Sequence, residues 1–477
     1  MGRDVRRTRT HVLARALACV VLAAVPPCRD SHTNPLTAGP RLNVVFITLD
    51  TTRADRIGAY GFGDAGTPNI DRLAREGALF EQAESVAPLT LPAHCSLFTG
   101  RFPFEHGVHE NGAPLPAQER TLAQVLQAAG MRTGAFTASF VLDPRWGLAR
   151  GFDRYEGTPR VRRTESGRGS DRRPANEVVD HALAWLESTP PHPFFVWLHF
   201  YDAHGPYDAA GREGRVPGYQ PAIGFMDGQI GRLLAFLDVH RVRDRTVIVI
   251  VGDHGESLGD HGELTHGLFV YESVTRVPLI IAAPNDDWVH GRQRVAAVVR
   301  SVDVMPTILN LLHLPTPSSS MSGRSLVPLM TGRVPDSGLQ AYAETMFPRD
   351  RFGWSELRAV REGRFKFIAA PRPELYDLQS DSDERVNLYE VRPTLAARLA
   401  EALRVLKGSN TVSAQTFVDP DAAARLAALG YVGNLRAPSA RDDVPLADPK
   451  DKISLYLLIT RDRTRDVPYA GVLIPHR

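Results

Sequence analysis

Four runs of consecutive apolar residues constrain the fold of this chain most strongly. They are Asn43–Leu49, Phe194–Phe200, Thr246–Val251 and Val277–Ala282. A strand that is apolar throughout, rather than at alternate positions, is typical of a parallel sheet covered on both faces. Helical patterns lie between the runs, at Pro68–Glu76, Leu122–Ala129 and Ile223–Val239. This alternation predicts an α/β sandwich, in which a large, mainly parallel sheet lies between helices.

The composition is compatible with such a fold and excludes several other classes of protein. Of 477 residues, 43% are hydrophobic and 23% are charged, which excludes a disordered or collagen-like chain. The 56 Lys+Arg against 54 Asp+Glu give a net charge of +2. A dedicated nucleic-acid-binding protein would carry a strongly basic domain. Three cysteines are too few for a disulfide framework.

The N-terminal residues have the pattern of a secretory signal. An arginine-rich start precedes the short apolar run Ala16–Val25, which Pro26 ends. A spanning helix needs about 20 apolar residues, so this run is too short to cross a membrane. We therefore expect residues 1–28 to be a signal peptide and the protein to be exported to the periplasm or the exterior. Cys28 also allows a lipid anchor, which would hold the protein at a membrane.

The pattern changes near residue 357 and indicates a smaller C-terminal subdomain. Leu357–Ala369 has the pattern of a hairpin with a turn at Glu362-Gly363, and Leu395–Leu406 that of a helix. We assign residues 41–356 to the main domain and residues 357–435 to the subdomain. Residues 436–477 are interpreted as a linker and a short tail, either a docking segment or the start of a truncated module.

Polar side chains that can bind metal ions follow the apolar runs, at the sheet edge where α/β proteins bind ligands. Crowded carboxylates and imidazoles repel or titrate against each other unless a cation neutralises them. The residues between 252 and 266 are crowded in this way and predict a metal site. The candidate residues are Asp50, Thr90, His94, His199, Asp202, His204, Asp253, His254, Asp260, His261 and His266. The arginine-rich stretch Arg160–Arg173 is interpreted as a solvated loop or as a basic lid over an anionic substrate.

Several motifs follow one another in an order found in a known family. They are Asp50 after the first strand, Thr67–Ala74 (Thr-Pro-Asn-Ile-Asp-Arg-Leu-Ala), Ser96–Pro103, Asp253-His-Gly-Glu256, Arg276–Leu279 and Pro373–Leu378. The chain resembles the sulfatase family of the alkaline phosphatase superfamily from about Asn43 to Tyr431. This resemblance implies an alkaline-phosphatase-like fold and an ester hydrolase or transferase.

The nucleophile motif departs from the family's pattern. Formylglycine-dependent sulfatases carry Cys-x-Pro-x-Arg, whose cysteine becomes formylglycine. Here the corresponding residues are Thr90-Leu-Pro-Ala-His94, so Thr90 replaces the cysteine and His94 the arginine. A threonine cannot become formylglycine, and Cys95, out of register with the motif, is interpreted as structural.

The resemblance implies metal ligands at Asp50, Thr90, Asp253 and His254. Thr51 stands where a second aspartate is usual, so the set has one carboxylate fewer and one imidazole more. This change favours Mn, Zn or Mg over Ca, and the set is similar to that of lipoteichoic-acid synthases and phosphoethanolamine transferases. One ion is favoured over two, because the Asp-x-x-x-His spacing of dinuclear relatives, counted from Asp202, falls on Pro206.

A metal-bound alcohol has a lowered pKa, so Thr90 is the predicted nucleophile. By resemblance, His204 and His266 face the substrate and stabilise charge or protonate the leaving group. His94 either takes over part of the missing arginine's work or braces the loop. Asp202 and His199 are supporting residues, and His261 is given no role.

These residues predict a metal-dependent hydrolase or transferase of phosphate- or sulfate-type esters, with phosphate-type esters preferred. The substrate would be an anionic ester of a small molecule, a glycan or a lipid. Two alternatives are a true sulfuric ester hydrolase and a catalytically silent binding protein with the same fold. Retention of the whole candidate set argues against the silent protein.

Overall fold

A computed structural model describes residues 42–158, 172–188, 193–205, 218–284, 293–317, 321–408, 420–429 and 445–464. The predicted signal peptide, Cys28, Pro206 and Tyr431 lie outside these ranges, as do residues 160–171 of the arginine-rich stretch. Among the helices that the structure describes, none has the length and apolar character needed to cross a membrane.

The described strands form two sheets. Their bounds are β1 Asn43–Leu49, β2 Ala78–Glu84, β3 Arg132–Phe136, β4 Arg154–Glu156, β5 Phe194–Phe200, β6 Thr246–Gly252, β7 Arg276–Val277, β8 Leu279–Ala282, β9 Gln293–Arg300, β10 Gln340–Thr345, β11 Leu357–Glu362, β12 Phe365–Ala369 and β13 Glu374–Asp377. The strands that carry the predicted site, β1, β5 and β6, all lie before residue 253.

The described helices cover the sheets or connect their strands. Their bounds are α1 Pro68–Glu76, α2 Thr90–Thr99, α3 Pro103–His106, α4 Leu122–Ala128, α5 Ala175–Glu187, α6 Tyr219–Val239, α7 Glu272–Thr275, α8 Val304–Leu311, α9 Val327–Met330, α10 Phe347–Phe352, α11 Pro393–Lys407, α12 Pro420–Ala428 and α13 Ile453–Thr464.

The large sheet has the order β4-β3-β5-β1-β6-β8-β2-β7, and β9 pairs with β2. The first five strands in this order are parallel, which confirms the predicted mainly parallel sheet. The run Val277–Ala282 differs from the expectation, because it forms two strands separated by Pro278, and β8 runs antiparallel to β6. Proline has no N–H to donate and interrupts the ladder.

Both faces of the large sheet are buried. In β1, Val44 and Phe46 belong to one hydrophobic cluster, whereas the intervening Val45 and Ile47 belong to another. Because alternate side chains of a strand point to opposite faces, β1 packs against helices on both sides. This double burial explains why the strand is apolar at every position.

The small sheet is antiparallel, with the order β10-β11-β12-β13. The predicted hairpin is present as β11 and β12, but the sheet already begins at Gln340, ahead of the expected boundary at residue 357. Residues 445–464 pack beside this sheet. The backbone of Ser355 donates to the Ala447 carbonyl (2.8 Å), and the backbone of Arg372 donates to Asp448 Oδ2 (3.1 Å).

Candidate active site

Asp50 and Asp253 lie next to each other because they follow adjacent parallel strands. Leu49 at the end of β1 is opposite Gly252 at the end of β6. The backbone N–H groups of Thr51 and His254 both donate to Asp253 Oδ1, at 3.2 and 2.7 Å. The turn after Asp253 needs glycine, since a Cβ atom on Gly255 would lie 2.1 Å from the Ser273 carbonyl oxygen. Both carboxylates are fully buried.

Thr90 is the first residue of α2, and this position brings its hydroxyl to the two aspartates. Thr90 Oγ1 donates to Asp50 Oδ2 (3.2 Å) and lies 3.4 Å from His254 Nε2. The next N–H of the helix, on Leu91, donates to the Asn111 side chain (2.9 Å). The structure therefore brings together Asp50, Thr90, Asp253 and His254, the four residues predicted to bind metal.

The geometry and the hydrogen bonding of these residues also indicate that a metal ion fits among them. Among the residues that the structure describes, Asp50, Asp253 and His254 form the one acidic and histidine group whose ligand atoms all lie within 4.8 Å of one another. Asp50 Oδ1 and Asp253 Oδ2 are buried and have no hydrogen-bond partner in the described part of the chain. Burial raises the pKa of both aspartates, and for Asp253 the neighbouring Asp50 carboxylate raises it further. A divalent cation would satisfy both oxygen atoms and neutralise both charges.

The orientation of the His254 ring is also compatible with metal binding. Its Nδ1 donates to the Gly255 carbonyl (3.0 Å), which leaves the lone pair on Nε2. Burial lowers the pKa of His254 to about 3, so the ring is neutral. Two imidazole nitrogen atoms, His94 Nδ1 and His254 Nε2, lie 3.6 Å from Asp253 Oδ2. Because both rings are neutral, they do not supply the missing positive charge.

Thr51 contributes no side-chain oxygen to this group. Its hydroxyl donates to the Asp50 carbonyl (2.8 Å), and its backbone has a φ of 51°, which is uncommon for a β-branched residue. This conformation lets the Thr51 N–H reach Asp253.

His94 lies behind Thr90 and is fully buried. Its Nδ1 donates to the Thr90 carbonyl (2.7 Å), and its Nε2 accepts from the Thr48 hydroxyl (3.0 Å). That hydroxyl accepts in turn from Trp197 Nε1 (3.0 Å). Burial holds the pKa of His94 well below its usual range. These contacts correspond to the bracing role, one of the two roles predicted for His94.

His199 supports Asp50. Its Nδ1 accepts from the Ala138 N–H (3.2 Å), so Nε2 carries the proton and donates to Asp50 Oδ2 (3.2 Å). Burial lowers the pKa of His199 to about 3. The ring is therefore a neutral donor with one defined tautomer.

His204 and His266 lie beside this group. The ring of His266 is centred 4.5 Å from His254 and 5.0 Å from His204. His266 Nδ1 donates to Glu256 Oε1 (3.0 Å), and His204 Nδ1 donates to the Gly205 carbonyl (2.5 Å). Burial lowers the pKa of His266 to about 4 and holds that of His204 well below its usual range. In the neutral state each ring has its lone pair on Nε2.

Two family models match the part of the chain that contains these residues. The Sulfatase family model matches residues 42–314, and the model described as N-sulphoglucosamine sulphohydrolase, C-terminal, matches residues 259–407. The first match alone covers more than half of the chain and includes every residue of the site. The chain belongs to the sulfatase family. It is a sulfatase-family hydrolase with a site that fits a metal ion.

Similar proteins of known name or structure agree with this membership. The Ulvan-active sulfatase of Formosa agariphila is 24% identical over 78% of this chain and 86% of its own length. Phosphonate monoester hydrolase of Agrobacterium radiobacter has a TM-score of 0.64 at 22% identity and covers 78% of this chain and 97% of its own. A protein solved with its substrate D-glucosamine-2-N,6-O-disulfate has a TM-score of 0.63 at 21% identity, over 77% and 97% of the two chains.

In this sulfatase-family hydrolase, Asp202, His261 and Cys95 lie outside the group, as does Asp260, which pairs with Arg53. Asp202 accepts from the N–H of Ala175 (3.1 Å), the first residue of α5, and burial raises the pKa of Asp202 to about 7. The ring of His261 stacks on Tyr271, with centroids 3.6 Å apart, at the small sheet. Cys95 is buried in the hydrophobic core.

Four residues that were not predicted as site residues contact the site. Glu256 holds His266, Asn111 holds the first turn of α2, and Thr48 holds His94. Arg172 contacts the backbone of His204. Glu256 stands within the Asp-His-Gly-Glu motif and could have been found by asking what orients His266.

Proposed function

We propose that this sulfatase-family hydrolase cleaves phosphate-type esters, and sulfate-type esters less well, with Thr90 as the nucleophile. The position of the Thr90 hydroxyl carries this proposal. It is buried between a carboxylate oxygen, 3.2 Å away, and an imidazole nitrogen, 3.4 Å away. A threonine with a structural role alone would not need a buried carboxylate and a buried histidine at its hydroxyl.

Asp50, Asp253, His254 and Thr90 would hold one divalent metal ion. An imidazole ligand and only two carboxylates favour Mn, Zn or Mg over Ca. When bound, the ion lowers the pKa of a coordinated alcohol and neutralises charge on the ester. The protein's contribution is to hold these ligands fixed, through the backbone donors to Asp253 and the His199 donor to Asp50.

The proposed first step forms a covalent intermediate. Thr90 Oγ1 attacks the phosphorus or sulfur atom, the bond to the ester oxygen breaks, and the oxygen that leaves as an alkoxide takes a proton from water. The proton of Thr90 passes along its existing hydrogen bond to Asp50 Oδ2, and Asp50 Oδ1 would remain for the metal ion. The product on the enzyme is a phosphothreonine or a sulfothreonine.

Water then attacks the phosphorus or sulfur atom, the bond to Thr90 Oγ1 breaks, and Oγ1 takes its proton back from Asp50. We assign one of His204 and His266 to accept the proton of the attacking water, because each ring has its lone pair on Nε2 in the neutral state. The lowered pKa values of both rings favour this role over protonation of the leaving group.

Phosphate-type esters are preferred because of the nucleophile. Formylglycine enzymes release sulfate through their aldehyde hydrate, and threonine has no such route. The similar proteins named above suggest two substrate forms, a phosphonate monoester and a sulfated amino sugar. An anionic ester of a sugar or an aryl alcohol is therefore the first substrate to test.

The decisive experiment compares Thr90→Ala with Thr90→Ser on aryl sulfate, phosphate monoester, phosphodiester and phosphonate substrates, each with Mn, Zn and Mg. Loss of the hydroxyl should lower kcat by about 10⁴-fold or more, whereas the serine variant should keep measurable turnover. Intact mass of quenched wild-type enzyme should show the covalent adduct. Wild-type activity of Thr90→Ala would remove the nucleophile assignment, and fastest turnover of aryl sulfate would favour a true sulfatase. Substrate binding without any turnover would support the silent binding protein.

A further inference from the structure

Arg172 lies just before α5 and contacts the loop that follows β5. Its Nη1 donates to the His204 carbonyl (3.0 Å), and its Nη2 donates to the Gly205 carbonyl (2.5 Å). The Gly205 carbonyl also accepts from His204 Nδ1. One guanidinium therefore holds both the backbone of His204 and the carbonyl that fixes the tautomer of its ring.

Tyr201 adds a second connection between the two side chains. Its ring stacks on that of His204, with centroids 4.3 Å apart and planes inclined by 18°. Arg172 Cζ lies 5.0 Å from the centre of the same Tyr201 ring. Tyr201 and His204 are both buried, so the three side chains pack as one unit.

The backbone of Arg172 is anchored independently of His204. It forms an antiparallel bridge with Ser139, and the N–H of Arg173 donates to the Ala138 carbonyl (2.8 Å). The Ala138 N–H in turn donates to His199, the support of Asp50. Arg172 therefore connects the segment that orients His199 with the loop that carries His204.

We infer that Arg172 is a positioning residue that holds His204 beside the Asp50–Asp253 centre. This inference rests on the function proposed for His204. The planar guanidinium has several donors in a fixed fork and can bond two carbonyl groups at once. A lysine at this position keeps the charge but cannot reproduce both bonds, so His204 would lose its defined position.

The test is a double-mutant cycle with Arg172→Lys and His204→Ala, measured as kcat and KM on the best phosphate-type substrate. Contacting residues couple by amounts that correspond to roughly tenfold in rate. Arg172→Lys alone should therefore lower kcat about tenfold with little change in KM. In the His204→Ala background it should have no further effect.

Arg173 offers a matched control. It is buried and, like the partly buried Arg172, bonds two carbonyl groups, those of Glu156 (3.4 Å) and Gly157 (2.8 Å). Arg173→Lys should leave kcat within about twofold of wild type, since this arginine has no contact with His204 among its described hydrogen bonds. Thermal unfolding and bound-metal content should be the same for all the variants, so that lost folding is not mistaken for lost positioning.

Two results would overturn the inference in distinguishable ways. An equal loss from Arg172→Lys in the wild-type and His204→Ala backgrounds would mean that Arg172 acts without His204, and the proposed function would stand. Wild-type activity of His204→Ala would remove the proposed role of His204 and the inference with it.

Discussion

Two clusters of buried carboxylates in this molecule are neutralised in different ways. At the junction of the two sheets, Glu84, Glu272 and Glu384 contact Arg361 and Lys366. Lys366 Nζ lies 3.0 Å from Glu272 and 3.1 Å from Glu384. At the edge of the large sheet, Asp50 and Asp253 have only neutral histidines and hydroxyl or N–H donors as described partners.

Of the two clusters, only the junction contains an acid whose pKa is lowered by neighbouring cations, whereas burial and Glu272 raise the pKa of Glu84 there. Burial disfavours ionisation of Glu272, but Lys366 and Arg361 outweigh it and lower its pKa to about 2. At Asp50 and Asp253 burial dominates, and both pKa values are raised. The pKa of Glu384 is also raised, to about 8, because burial and Glu272 together outweigh Lys366. The junction cluster therefore contains its own cations, whereas the metal ion that we propose for the Asp50 cluster would come from outside the protein.

The largest expected effect separates activity from stability at the Asp50 cluster. A metal ion provides several kcal/mol of transition-state stabilisation, so Asp50→Asn should lower kcat by about 10³-fold or more and should weaken metal binding. The metal-free variant should unfold at the same temperature as the metal-free wild type or a higher one, because one of two like charges is gone. Measurements of kcat, bound metal and unfolding in chelator test this, and a large loss of metal-free stability would break the contrast between the clusters.

The converse effect is expected at the junction. Lys366→Met removes the cation that contacts Glu272 and Glu384 in the protein interior. This loss should reduce the unfolding free energy by about 3–5 kcal/mol. The activity of the remaining folded enzyme should stay within a few-fold of wild type. Arg398, half-exposed and paired with Glu362, provides the control, and Arg398→Met should leave stability nearly unchanged. A Lys366→Met enzyme of wild-type stability would show that the junction cluster does not need its cation.

A pH-dependent effect sharpens the comparison at Glu110, a buried acid that has a cation nearby but keeps a raised pKa. Glu110 is buried, and its closest described cation, Arg351 Nη2, lies 3.6 Å away. Burial raises the pKa of Glu110 to about 8. Below pH 4.5 the group is protonated in both the folded and the unfolded chain, whereas between pH 4.5 and 8 only the folded chain retains the proton. Wild type therefore loses stability as the pH rises through this range.

Glu110→Gln removes that loss. Its stability relative to wild type should increase with pH by up to about 1.4 kcal/mol per unit between 4.5 and 8. Urea unfolding of both proteins at pH 5 and pH 8 measures the difference. If Glu110→Gln and wild type differed in stability by the same amount at pH 5 and pH 8, the pKa of Glu110 would not be raised. Glu110 would then resemble the acids of the junction cluster that are neutralised by cations.

The sequence predicted the strands of the large sheet best where burial on both faces removes polar positions, as in β1 and β5. It could not predict that β8 runs antiparallel to β6, because a run of apolar residues does not indicate the direction of its strand within the sheet. The division of the run into β7 and β8 at Pro278 was not predicted either. The sequence also missed β10, since only the pairing with β11 defines that edge of the small sheet.

The arrangement of the candidate site could likewise be predicted only in part. Asp50 and Asp253 could be placed together because each follows a strand, and adjacent parallel strands end at one edge. The position of His94 could not be predicted, because it depends on Thr48 and Trp197, which belong to two other strands. Arg172 contacts a residue 32 positions away, and no local pattern indicates that partner.

The packing around His94 has a consequence for how this chain could have diverged from formylglycine enzymes. The ring fills a closed space, centred 5.5 Å from the ring of Trp197 and 5.2 Å from that of His199. An arginine there would be longer and always charged, at a position that is now fully buried. A change of Thr90 to cysteine alone would therefore not rebuild Cys-x-Pro-x-Arg. On the proposal that Thr90 is the nucleophile, we expect conversion to a formylglycine site to need coupled substitutions at position 94 and among its neighbours.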